Sequence, residues 1–162
     1  MKQIIIESAK NVFQAASFKK TILASAESCT GGMLSSAITA TPGSSAIFDC
    51  GFVTYSNLSK MRLLGVREET LKTFGAVSEE VAAEMAIGAL YNSNANLAVS
   101  ITGVAGPGGT ITKPEGRVCF SIAFNRKVKL NETKHFGPLG RNIVRQKATL
   151  YGLKLLENAL AQ

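Results

Sequence analysis

The segment AESCTGG, Ala26 to Gly32, places an acid, two hydroxyls, a thiol and two glycines in a row. A serine hydroxyl becomes a nucleophile only when a base removes its proton. The one histidine, His135, falls on a polar stretch far along the chain, which argues against a Ser-His-Asp arrangement around Ser28. A lysine can replace the histidine if burial or nearby positive charge keeps its amine neutral. Lys60, in the stretch YSNLSK that begins at Tyr55, is the candidate. Two other readings stand beside this one. Ser28 or Thr30 could simply cap the next helix, with Lys60 in solvent. Cys29 could itself attack, since a helix start favours a thiolate, or it could be a small buried neighbour. Glu27 could orient a lysine or the loop amides, or be a charge at a helix entry. The amides from Cys29 to Gly32 could hold an anion or the oxyanion of a tetrahedral intermediate.

Two later segments add polar chemistry. SITGVAGPGG carries Thr102 at the end of an apolar run, where its hydroxyl could bind substrate or Tyr55, or make a turn bond. Arg141 and Arg145 stand four apart near the start of the last helical stretch, hence on one face. They could clamp a phosphate or form a solvated face.

The elements that must position these residues follow from periodicity. Ile5, Ala9, Val12, Phe13 and Ala16 have helical spacing, so residues 2–18 read as an amphipathic helix. TILASAE reads as a strand covered on both faces. Thr30 to Ala40 reads as a helix stopped near Pro42-Gly43. AIFDCGFVTY is a second strand, and SNLSKMRLL a helix closed by Gly65. SEEVAAEMAIGALYN is the clearest helix, with Ser78 as N-cap and Glu79 and Glu80 in its positive first turn. ANLAVSITG is a third buried strand. It runs into four glycines and two prolines between Gly106 and Gly116, too much punctuation for a regular element. RVCFSIAF and KVKLNETKHF form a hairpin about Asn125-Arg126, the second strand alternating like an exposed edge. A last helix covers about 141–160, with Val144, Ala148, Tyr151 and Leu155 as its apolar stripe. Helices interleaved with strands, plus one late hairpin, predict a single-domain α/β fold, a three-layer α/β/α sandwich with a mixed sheet over residues 1–162. ESCTGG, TYSNLSK and TGVAGPGG then all follow strand C-termini, the edge where open α/β sheets bind ligands.

The composition fits such a domain: 162 residues, 46% hydrophobic and 18% charged. The net charge of +7 suits an anionic partner. Its basic residues are scattered, as in Lys19-Lys20 and NRKVKL, so no nucleic-acid arm is expected. Cys29, Cys50 and Cys119 are odd in number and lack C-x-x-C spacing, which argues against a metal site or a disulfide scaffold. No apolar run is long enough for a signal segment or a membrane span, so no membrane partner and a cytoplasmic location are expected.

AESCTGG, GFVTYSNLSK, GAVSEEVAAEMAIGAL, AVSITGVAGPGG and KPEGRVCFSIAF, in this order, resemble the CinA C-terminal domain family, over about residues 4–158. The resemblance implies an amidohydrolase that converts nicotinamide mononucleotide to nicotinate mononucleotide and ammonia, with no metal or cofactor. It implies Ser28 as nucleophile, Lys60 as general base and Tyr55 in support of proton transfer. Glu27, Cys29 and Thr102, with Gly103 and Gly106 of the glycine loop, would belong to the substrate site. The amides of Thr30, Gly31 and Gly32 would serve the oxyanion or phosphate, and Arg141 would meet the phosphate. Relatives also suggest a homo-oligomer. The chain departs from the family in having Gly140 where an aspartate precedes the last helix, and GPGGT where an acid is common.

Overall fold

The computed structural model describes residues 2–162. Helix α1 (Gln3–Lys19) leads to β1 (Leu23–Glu27), α2 (Met33–Thr39) and a short 3-10 turn before β2 (Phe48–Val53). Three helices follow, α3 (Asn57–Leu64), α4 (Glu68–Phe74) and α5 (Glu79–Tyr91). The chain then forms β3 (Leu97–Gly103), the hairpin β4 (Arg117–Phe124) and β5 (Lys127–His135), and α6 (Arg141–Ala161). The strands make one five-stranded sheet in the order β2-β1-β3-β4-β5. β1 is parallel to both β2 and β3, whereas β4 and β5 run antiparallel to their neighbours, so the expected mixed sheet is present.

Connectivity fixes where a crevice can form. From β1 the chain passes through α2 to β2 on one side, then returns through α3, α4 and α5 to β3 on the other side of β1. The C-terminal end of β1 is therefore a topological switch point, flanked by the ends of β2 and β3.

Side-chain size divides the two faces of the sheet. Leu97, Val99 and Ile101 of β3 and Val118, Phe120 and Ile122 of β4 join the cluster built with α1, α2 and α6. The opposite face is lined by small residues such as Ala24, Ala26 and Ala98, which pack with Val81, Met85 and Ala89 of α5. Ser100 on that face donates to the Ala82 carbonyl at 2.5 Å. Small side chains let α5 lie close to the sheet, and its Gly88 lies close to α3 in turn. A Cβ on Gly88 would stand 1.9 Å from the Leu64 carbonyl oxygen.

Most element ends obey local signals. Ser78 accepts from the Val81 amide at 3.3 Å, as its position predicts. Ser56 and Ser59 form a reciprocal capping box on α3, and Gly65 closes that helix at φ 67°. Two elements differ from the sequence reading. α4 is an additional short helix, started by Glu68 and Glu69 and burying only Thr70 and Leu71. α2 begins at Met33 rather than Thr30, because Gly31 and Gly32 adopt φ of 60° and 91°. Neither Ser28 nor Thr30 caps it. The fully buried Glu27 carboxylate instead accepts from the amides of Gly32, Leu34 and Ser35 at 3.1, 3.1 and 2.8 Å, and from the Ser35 hydroxyl at 2.6 Å.

Two substitutions test this packing by urea denaturation. Glu27→Gln leaves one acceptor oxygen and turns an amino group toward the α2 amides, so stability falls by about 1–3 kcal/mol. Gly88→Val forces side-chain atoms against Leu64 backbone that cannot yield, with an expected loss of about 3 kcal/mol or more.

Candidate active site

Alternation along β1 decides which side chains meet. Glu27 points toward α2, as its bonds show, and the next residue in the chain points to the other face, where α3 lies. There Lys60 Nζ stands 3.0 Å from Ser28 Oγ. It also donates to the Thr54 carbonyl at 2.7 Å. Lys60 is only 1% exposed and Ser28 9%. Neither bond supplies a negative charge, and no salt bridge among the described residues involves Lys60. Burial therefore dominates, and it lowers the amine's pKa from 10.5 to about 8. The solvated-lysine reading does not survive this geometry.

The thiol reading of Cys29 meets the opposite effect. Burial pushes its pKa up to about 12, with the Glu27 charge adding to the rise, so the sulfur stays protonated at neutral pH. His135 is exposed on β5 and pairs with Arg117, far from Ser28 in the sheet order.

The amides after β1 are mostly occupied. Ser28 N–H donates to the Ile101 carbonyl, Gly31 N–H to the Ser28 carbonyl and Met33 N–H to the Thr30 carbonyl. Gly32, Leu34 and Ser35 donate to Glu27. The expectation that Gly31 and Gly32 offer free amides is thus corrected. Among the described residues of this turn, the amides of Cys29 and Thr30 remain without an acceptor. Glu27 likewise contributes by holding the turn, its oxygens facing α2 rather than the cavity.

A cavity of about 230 Å³ opens over the Ser28–Lys60 pair, lined by Cys29, Tyr55, Asn57, Ala76, Val77, Thr102, Gly103, Ala105 and Arg141. The Thr102 hydroxyl donates to the Ala76 carbonyl at 2.7 Å, a strand-end bond that fixes the cavity wall. Tyr55 is exposed at the rim, and its hydroxyl accepts from Arg141 rather than bonding Ser28 or Lys60. Arg141 also donates to the Gly106 carbonyl at 2.9 Å, closing a bridge across the mouth. Its neighbour Gly140 donates its amide to Glu115 at 2.8 Å. Glu115 also accepts from Gly108 at 3.1 Å and so ties the glycine loop to α6. Arg145 does not join Arg141 at the rim. It donates from Nε to the Cys29 carbonyl at 3.1 Å and from Nη2 to the Thr30 carbonyl at 2.9 Å.

A larger hollow of about 420 Å³ lies at the other end of the strands, beside Leu97, Phe124, Lys129 and Leu155. It contains none of the candidate residues. Among the described residues, no three His, Cys, Asp or Glu side chains are grouped so as to hold a metal ion. No helix there is long and apolar enough to cross a membrane.

The sequence reading missed Thr54, Asn57, Ala76, Val77, Ala105 and Glu115. Thr54 acts through its carbonyl, which every residue type carries, and Ala76 and Val77 carry no chemical signal. Only Glu115, an acid within the glycine-rich stretch, offered a hint.

Comparisons with known proteins agree with this arrangement. Residues 6–160 match the family model described as CinA C-terminal domain. The chain is 47% identical over 153 residues to an Escherichia coli K12 protein named nicotinamide-nucleotide amidohydrolase PncC, covering 94% of this chain and 92% of that one. A protein of the same name from Enterobacter agglomerans is 50% identical over 130 residues, covering 80% and 79% of the two chains. The crystal structure of competence/damage inducible protein CihA from Agrobacterium tumefaciens superposes with a TM-score of 0.94 at 44% identity, covering 100% of this chain and 98% of that one. With the ordered motifs, the switch-point crevice and these matches in agreement, the chain belongs to the CinA C-terminal domain family.

Proposed function

We propose that the protein hydrolyses the carboxamide of nicotinamide mononucleotide to the carboxylate, releasing ammonia, with Ser28 as nucleophile and Lys60 as general base. The 3.0 Å approach of a buried, carboxylate-free amine to a hydroxyl carries this reading. Support for the substrate comes from the Escherichia coli relative, which is named a nicotinamide-nucleotide amidohydrolase.

As Ser28 Oγ bonds to the carboxamide carbon, its proton passes to Lys60 Nζ. The resulting ammonium returns that proton to the departing nitrogen, so ammonia leaves and an ester to Ser28 remains. Water, deprotonated by the same amine, then cleaves the ester and restores the hydroxyl. A permanently charged lysine could not begin this cycle, which gives the low pKa its use. Arg141 has no carboxylate partner among the described residues, and we assign it to the substrate phosphate at the cavity mouth. Such a reaction returns a nicotinamide nucleotide to pyridine-nucleotide synthesis, a salvage step.

Ammonia release from nicotinamide mononucleotide by the purified protein tests the assignment directly. Ser28→Ala and Lys60→Ala each abolish release while leaving the circular dichroism spectrum native. Normal turnover in either variant removes the dyad, and nucleotide binding without any release by the wild type would favour a binding module.

The rate also depends on pH in a defined direction. With Lys60 at about 8, roughly a tenth of the amine is neutral at pH 7. kcat/KM therefore climbs with pH and levels off above the lysine's pKa; a profile flat from pH 6 to 9 would contradict the base assignment. Stability follows the same group. Between pH 8 and 10.5 the unfolded chain holds the proton that the folded chain has released, so stability rises with pH there. Urea titrations of Lys60→Met lack that part of the rise.

A further inference from the structure

We propose that Arg145 is a positioning residue for catalysis, aiming the Cys29 and Thr30 amides at the oxygen that becomes negative when Ser28 adds to the carboxamide. The inference rests on the deamidase reading above.

A tetrahedral intermediate needs donors fixed before charge develops, since donors that must first turn into place stabilise it less. Among the described residues of the turn, the amides of Cys29 and Thr30 alone have no acceptor, and Cys29 lines the cavity. In a trans peptide the N–H points opposite to the preceding carbonyl, so fixing one fixes the other. The Ser28 carbonyl is held by the Gly31 amide at 3.0 Å, which sets the direction of the Cys29 N–H. Among the described residues, no backbone amide holds the Cys29 carbonyl. Arg145 does so, through Nε at 3.1 Å, and thereby sets the direction of the Thr30 N–H. Its Nη2 holds the next carbonyl, that of Thr30, so the planar guanidinium fixes two successive peptides from one side.

Three further observations agree. Arg145 is half-buried and, among the described residues, has no carboxylate partner, so its charge lies behind the turn uncancelled. Gly31 has φ 60°, and a Cβ there would stand 3.3 Å from Arg145 Nη2, so the guanidinium packs directly against the turn. Arg141, one helical turn earlier, faces the cavity mouth instead. Two arginines on one helix face thus act on different stages, one on substrate capture and one on the chemical step.

The kinetic constants separate these roles. Ammonia release from nicotinamide mononucleotide is followed for the wild type, Arg145→Met, Arg145→Lys and Arg141→Met, with rates normalised to the folded fraction measured by circular dichroism. Arg145→Met is expected to lose about 100-fold in kcat with KM nearly unchanged. Arg145→Lys keeps the charge but not the fork, and stays well below wild type. Arg141→Met is expected to raise KM about tenfold or more with a smaller change in kcat. Wild-type kcat in either Arg145 variant, or a loss confined to KM, overturns the assignment. A wild-type protein that releases no ammonia instead overturns the deamidase reading on which it rests.

Discussion

An amine withdrawn from water keeps its charge only if something negative replaces the water. For Lys60 nothing does, and the reason lies in the pleat of one strand. Glu27 is adjacent to Ser28 in the chain and would be the nearest counter-ion. Yet alternation sends its carboxylate to the α2 face, where three amides and a hydroxyl hold it. The acid is thereby used to start a helix, and the lysine on the other face is left with a carbonyl and a hydroxyl. Shifting β1 by one residue would exchange these roles and join acid to amine as an inert ion pair.

The same division explains why the two layers differ in depth. Bulky residues on the α1, α2 and α6 side supply most of the hydrophobic burial. The alanine-lined side lets α5 approach, and α5 in turn seats α3 through Gly88 in its last turn. Lys60 therefore stands on a short helix whose height is set by backbone contact rather than by adaptable side chains.

Much of this was legible in the sequence. The five strands, the hairpin and the longer helices follow from apolar period and from caps such as Ser78, because in those elements local preference and burial agree. α4 was not legible, since seven residues burying only Thr70 and Leu71 give no period to read. The late start of α2 was hidden because its capping group, Glu27, lies before the glycines rather than at the usual position. Within the site, the types of Ser28 and Lys60 and their place at strand ends suggested the pair. Spacing could not show that Arg145 turns inward while Arg141 stays at the rim. Their four-residue separation put both on one face, and the distinction depends on which carbonyls the turn after β1 presents.

Arg141 spans the opening from the Tyr55 hydroxyl to the Gly106 carbonyl, so two of its five N–H donors are engaged before any ligand arrives. An anion that takes over those two donors enters by exchange, displacing a phenol and a peptide oxygen. A neutral nucleoside has nothing with which to make that trade. Discrimination between phosphorylated and unphosphorylated ligands would then arise as much from the latch already in place as from any contact formed afterwards.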